Sequence, residues 1–286
     1  MAAVAAAAAR GPDLSARRLR WLALHAALVA GAAATLLPLV WMVSVSLMPA
    51  GEAALGPRLL PSAPTLEHYR ALLGRMQLWR HAANSAGLAS AVTVISLAVN
   101  SLAGYAFAKL RFAGRDGLFR ALLAAMVVPG QVSMLPLFLM LKGLGLINSY
   151  WGVIVPGVAS IFAIFLIRQY ALGIPDSLLD AARVDGAGEL RIFWSIVLPA
   201  CRPILVTLAV FTFMGTWNDF LWPLVVLSDS DLQTLPVALA NLAGEHVQDT
   251  ELMMAGSVLT VLPVVILFVS LQRYYLQGLM SGAVKG

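Results

Sequence analysis

The run Pro175-Asp176-Ser177-Leu178-Leu179-Asp180-Ala181-Ala182-Arg183-Val184-Asp185-Gly186-Ala187, continued by Gly188-Glu189-Leu190-Arg191-Ile192-Phe193-Trp194-Ser195-Ile196-Val197-Leu198-Pro199, lies between two strongly apolar stretches. Pro175 suits the first position of a helix, and Asp176 and Asp180 sit early enough to favour its positive end. Asp185-Gly186 ends that helix, because glycine accepts turn conformations that other residues resist. Leu190, Phe193, Trp194 and Val197 then fall at i, i+3, i+4 and i+7. That spacing predicts a second helix with one apolar face, stopped by Pro199. Residues 175–199 therefore read as a helical hairpin outside the bilayer, with membrane on either side. Its apolar face would pack back on its own bundle, lie on the membrane surface, or dock a soluble partner. Surface helices want Lys and Arg on the polar face. Here Asp176, Asp180, Asp185 and Glu189 outnumber Arg183 and Arg191, which weakens the second reading.

Composition sets the hairpin in a membrane protein. Of 286 residues, 60% are hydrophobic and 12% charged, with a mean hydropathy of +0.85. A soluble domain carries about a quarter charged residues, so this chain has too little polar surface for water. Six apolar stretches, at 21–47, 84–108, 118–141, 151–170, 204–227 and 252–271, each have enough residues to cross ~30 Å of hydrocarbon. The first is too long for a signal-peptide core and is read as a retained span. The expected organisation is an all-α polytopic protein: a tail at 1–20, a six-helix transmembrane domain at 21–272, and a tail at 273–286. Residues 49–81 read as a polar connection. In the second span Ser85, Ala86, Gly87, Ala89, Ser90 and Ala91 predict close helix packing.

The net charge of +5 is explained by its distribution and needs no nucleic acid. Arg10, Arg17, Arg18, Arg20, Lys109, Arg111, Arg115, Arg120, Arg168, Arg183, Arg191, Arg202, Arg273 and Lys285 share one side. Only Arg58, Arg70, Arg75, Arg80 and Lys142 fall on the other. The positive-inside rule then puts both termini and the hairpin in the cytoplasm. The last outer loop, 228–250, has no Lys or Arg but carries Asp229, Asp231, Glu245 and Asp249.

Chemistry of other kinds is not written here. No lysine follows a glycine, so no phosphate-binding loop of the Gly-Lys-Ser/Thr type exists and ATP hydrolysis must occur elsewhere. His25, His68, His81 and His246 are scattered, and Cys201 is alone, so no metal site, cofactor or disulfide framework is expected. One polar cluster interrupts a span: Trp217-Asn218-Asp219. On a continuous helix Asp219 would lie roughly 12 Å from the span's end at Leu227. A carboxylate facing lipid there costs ~2.5–3.5 kcal/mol, so it should face the bundle interior or water. Asn218 and Asp219 line a translocation path on that reading; an intrabundle hydrogen bond or a dip of the water interface is the alternative. Trp217 and Trp222 read as interface anchors.

Asp180-Ala181-Ala182-Arg183-Val184-Asp185-Gly186-Ala187, with Phe193 and Leu198-Pro199 downstream, closely resembles the "EAA" loop of ABC-importer permeases. Asp180 stands where that family usually has Glu. The resemblance implies that Asp180, Ala181, Ala182, Asp185, Gly186, Ala187, Phe193 and Pro199 belong to a coupling hairpin that docks on a separate ATPase. Trp217 to Leu224 also looks like the fifth-span signature of sugar-importer permeases, and 277–286 resembles the tail of the maltose-transporter subfamily, which reaches toward the ATPase dimer. The whole is similar to the second, maltose-type permease subunit of a carbohydrate importer of the type I fold, in the inner membrane of a prokaryote. Implied partners are a related permease, an ATP-binding subunit dimer, an extracytoplasmic solute-binding protein, for which 228–250 is a candidate surface, and membrane lipid. The rival class is an ion-coupled secondary transporter with Asp219 as the coupling site; a membrane scaffold or receptor is disfavoured by the hairpin.

Overall fold

Apolar residues on every side of a segment cannot all be buried in a single chain, and here they make helices whose outer surfaces stay bare. The computed structural model describes residues 14–56, 58–245 and 249–283, with side chains from 18 to 270 except at 57, 75 and 245–248. Among the described residues there are helices and turns but no strand. They fall into two compact units, 14–69 with 249–258 and 70–245 with 259–283.

In the first unit, α1 (Leu14–Val45) leaves every residue from Arg18 to Val40 exposed. The connection after it is more structured than its polar composition predicts. Thr65 N–H donates to Leu47 O at 2.8 Å, and His68 Nε2 bonds Met48 O at 2.9 Å. Glu52 accepts from Ser62 N–H and Oγ, and the buried Glu251 accepts from Ala53 N–H at 2.8 Å.

The second unit is built on α2 (Leu78–Lys109). After it come α3 (Arg115–Ala125), α4 (Met134–Gly143), α5 (Tyr150–Gly157) and α6 (Ile161–Leu172). The hairpin follows as α7 (Asp176–Val184) and α8 (Glu189–Ile192), then α9 (Arg202–Trp217), α10 (Leu221–Val226), α11 (Leu235–Glu245) and, from 259 on, α12 (Thr250–Ala283), whose start belongs to the first unit. α6 and α9 pack on α2 around Tyr105, Ile167 and Leu208. α2 and α6 approach closely at Gly104, where an added Cβ would lie 2.7 Å from Ile167 Cγ2 and 3.2 Å from Arg168 N. Among the small residues singled out from sequence, a Cβ added at Gly87 would meet nothing within 4 Å, while Ser85 and Ala89 are buried.

Among the described residues three helices are long and apolar enough to cross a membrane: α1 over Arg18–Val45, α2, and α12 over Thr250–Ser270. Three more crossings exist only if bent pairs count as one: α3 with Gly130–Gly143 (97°), α5 with α6 (40°), and Glu189–Ala200 with α9 (79°). The corner between α5 and α6 is bridged by the fully buried Asn100 of α2. Its Nδ2 donates to Val158 O at 3.1 Å and its Oδ1 accepts from Ser160 N–H at 3.1 Å.

Several expectations need correction. The stretch 204–227 is not one helix; it breaks at 218–220, so Asp219 has no place on a helix axis. Residues 228–250 are not a plain loop but hold a 3-10 turn and α11, with 246–248 outside the described residues. Pro199 does not stop the second hairpin helix; it sits in the turn Leu198–Ala200, and the path bends at Cys201. The tail expected at 273–286 continues α12 to Ala283 with no break, and 284–286 lie outside the described residues. Helix also begins at Leu14, within the tail expected at 1–20; residues 1–13 lie outside the described ones.

Candidate functional site

The hairpin's turn explains its sequence atom by atom. Asp185 closes α7, Gly186 takes φ +82°, and Ala187 N–H reaches back to Ala182 O at 2.9 Å while Gly186 N–H bonds Arg183 O at 3.0 Å. That pair of bonds is the glycine-terminated helix ending that satisfies carbonyls otherwise left open. Ala182 and Ala187, the two residues the turn brings together, are half-buried against the core.

The second arm does not keep the predicted face. A π turn at Phe193–Val197 shifts the register. Ile192, Phe193 and Val197 go into the core, with Phe193 against Tyr105 (ring centroids 5.7 Å apart). Leu190 is 70% exposed and Trp194 61% exposed, as is Val184 at 88%. Of the eight residues expected at a docking surface, Asp180, Ala181, Asp185, Gly186 and Pro199 are exposed, Ala182 and Ala187 are half-buried, and Phe193 fastens the hairpin from inside. The exposed Val184, Leu190 and Trp194 complete the outer surface; Leu190 and Trp194 were expected on one face with Phe193 and Val197, which the π turn divides, and Val184 was not singled out.

Two polar clamps tie both arms to α2. Lys109 Nζ, its side chain only 6% exposed, donates to Ile174 O and to Asp176 Oδ1, both at 2.6 Å. One turn earlier, Tyr105 donates its hydroxyl hydrogen to Glu189 Oε2. Glu189 Oε1 accepts from Arg183 Nε at 2.9 Å, and Arg183 Nη1 donates to Asp180 Oδ1 at 2.7 Å. The Lys109 ammonium holds the Asp176 carboxyl below its usual range. Hydrogen bonds from Arg183 and then Tyr105 do the same for Glu189, and Glu189 and Asp180 in turn raise the Arg183 guanidinium. Asp180, the position expected to be Glu, thus spends its carboxylate inside the hairpin.

The second polar group is divided by the structure. Asn218 is exposed, and its Nδ2 bonds back to Met214 O at 2.9 Å. Asp219 faces a cavity of about 400 Å³. Its Oδ1 lies 3.4 Å from Trp222 N. Trp222 Nε1 donates to Gly152 O at 3.0 Å, and the buried Trp217 donates to Thr260 O at 3.1 Å. These hydrogen bonds pin helices together, and Trp217 is buried inside the protein.

Asp229, Asp231 and Asp249 of 228–250 are engaged locally. Asp229 caps the 3-10 turn, Asp231 pairs with Arg80 at 2.9 Å, and Asp249 accepts from Leu252 N–H at 2.9 Å. Asn84 Nδ2 bonds Asp231 O and Gln233 O, and Ser85 Oγ accepts from Leu235 N–H, which seats this segment on the start of α2. Among the described residues no three His, Cys, Asp or Glu side chains gather to hold a metal ion.

Comparison with known proteins follows the same lines. The family described as "binding-protein-dependent transport system inner membrane component" matches residues 100–280. The arabinooligosaccharides transport system permease protein AraQ of Halalkalibacterium halodurans is 42% identical over 79% of this chain and 81% of its own length. The lactose transport system permease protein LacG of Rhizobium radiobacter is 32% identical over 94% and 98%. The sn-glycerol-3-phosphate transport system permease protein UgpE of Yersinia pestis is 36% identical over 69% and 71%. A chain of a bacterial ABC transporter that imports the acidic polysaccharide alginate superposes with a TM-score of 0.82 at 25% identity, covering 91% of this chain and 98% of that one.

Proposed function

Because the chain belongs to the binding-protein-dependent transport system inner membrane components, we propose that it is the permease subunit of an ATP-driven importer of a sugar or sugar-like solute. It is a translocation component and not an enzyme, and it is built on the importer fold. The ion-coupled alternative falls with family membership, since relatives at 42% and 32% identity along most of their length are permeases of transport systems for oligosaccharide and lactose. Asp219 then needs no proton or sodium to couple.

The observation that carries the mechanism is the hairpin: a glycine-locked turn with Val184, Leu190 and Trp194 bare and both arms clamped to α2 by Lys109 and Tyr105. Exposed apolar side chains on so rigid a projection favour a protein neighbour. On this reading an ATP-binding subunit dimer seats the hairpin. Its closure on ATP moves α7 and α8 as one lever, and α2 with its packed partners α6 and α9 reorients. Six crossings follow if each bent pair crosses as a unit, with the hairpin and both termini in the cytoplasm. A second, related permease completes the path, and an extracytoplasmic solute-binding protein delivers the sugar. Lipid and that permease cover the bare length of α1. The acidic segment 228–250 is a candidate contact for the binding protein, with Asp229, Asp231 and Asp249 held by their local partners.

The test is purification and uptake. An affinity-tagged chain should bring an ATPase subunit with it, and uptake into vesicles should stop when ATP is removed while the ion gradient is held. Uptake that survives ATP removal defeats the reading.

A further inference from the structure

Three interruptions of helix, distant in sequence, meet at one cavity of about 400 Å³. Gly130 and Gln131 line it just after the 97° break that follows α3, and Gly157 at the end of α5, where the corner begins. Asp219 comes from the break between α9 and α10, with Thr216 and Trp222 from the helix ends on either side of it. Irregular backbone at membrane depth is tolerated where it is buried in protein or lines a watery cavity. Three such interruptions border one space. It is open on one side, and its size falls within the range of small-ligand sites, with a mostly apolar lining and a few convergent polar groups.

The polar groups have a definite character. Gln131 offers an amide, Thr216 a hydroxyl and Asp219 a carboxylate, while Trp222 presents a ring held by its Nε1–H bond to Gly152 O at 3.0 Å. Among the described residues, no lysine, arginine or histidine lines the cavity. A carboxylate accepts strong hydrogen bonds from sugar hydroxyls. With no cation beside it, the same carboxylate repels a phosphate or a uronate. We propose that this cavity is a subsite for one neutral sugar residue in transit, with Asp219 accepting from its hydroxyls, and that the cargo is a neutral glycoside or polyol, not a phosphorylated or uronic one. The inference rests on the import reading above and narrows it, because relatives of both kinds, for lactose and for glycerol 3-phosphate, resemble this chain.

The test uses the complete importer, with its partner subunits, in lipid nanodiscs. Thr216→Cys is alkylated with N-ethylmaleimide in the presence of lactose, arabinotriose, glycerol 3-phosphate or a uronate trisaccharide. Cys201 is buried and keeps the background low. ATP-driven uptake of each solute is measured in parallel. A neutral saccharide that is carried should slow alkylation severalfold, and the anionic solutes should leave it unchanged. Asp219→Asn should raise the half-protecting concentration about tenfold, the loss expected when a charged acceptor becomes neutral. If Thr216→Cys does not assemble, Leu221→Cys, which lines the same cavity, gives the same readout. Carriage of an anionic solute, or a carried neutral sugar that gives no protection, overturns the inference and leaves the import reading standing. Absence of ATP-driven uptake of any solute overturns both.

Discussion

At the scale of single residues, two positions set limits that hydropathy does not show. Gly104 is where α2 meets α6, and an added Cβ would fall 2.7 Å from Ile167 Cγ2 and 3.2 Å from backbone. Backbone cannot yield as a side chain tip does, so Gly104→Val should destabilise the protein by about 1–3 kcal/mol, the usual cost of overpacking. Thermal unfolding in detergent would measure it; an unchanged midpoint would contradict the packing described. Glu189 joins α8 to Arg183 and Tyr105, and its pKa is depressed in the fold. A depressed carboxylate contributes stability that is complete above its unfolded pKa, about 4.3, and is lost as pH falls through the folded value. The difference in thermal midpoint between the native protein and Glu189→Gln should therefore be constant from neutral pH to about pH 5 and shrink below about pH 4. A difference that grows in acid would reverse the assignment. The roles of Tyr105, Lys109 and Glu189 could not be read from the chain, since they are brought together by contacts 65 to 84 residues apart.

At the scale of elements, the hairpin was legible and the spans less so. Asp185-Gly186-Ala187 declares its turn because one conformation, φ +82° at Gly186, demands glycine. A β-carbon there costs about 1–2 kcal/mol. Gly186→Arg adds bulk and charge to the exposed tip, and Asp185→Lys reverses charge there; both should leave the protein inserted, with sugar uptake reduced at least about tenfold and ATP hydrolysis no longer tied to it. Uptake at the native rate in either variant would remove the hairpin from the coupling path. The breaks at 126–129 and 218–220 were not legible. Periodicity finds helices by contrast between faces, and segments apolar all round have none. The same lack of contrast hid the cavity, whose walls come from residues near 130, 157 and 219.

At the scale of the molecule, topology decides which compartment each feature meets. On the proposed topology 175–199 lies on the cytoplasmic side and 49–81 on the other, as the Lys and Arg bias predicts. Ser177→Cys, on the exposed side of α7, should react with a membrane-impermeant maleimide only in inside-out vesicles, and Leu55→Cys, at a site 78% exposed, only in intact cells. Labelling of both from one side would invert or break the six-crossing arrangement. One detail described earlier bears on how such a body flexes. Asn100 stands in for a missing stretch of peptide at the corner between α5 and α6, supplying one donor and one acceptor where the ladder lapses. It splints the joint to the middle of α2. A bend that looks like a swivel is therefore a weld: rod, elbow and forearm travel as a single casting, and supple motion has to be sought elsewhere.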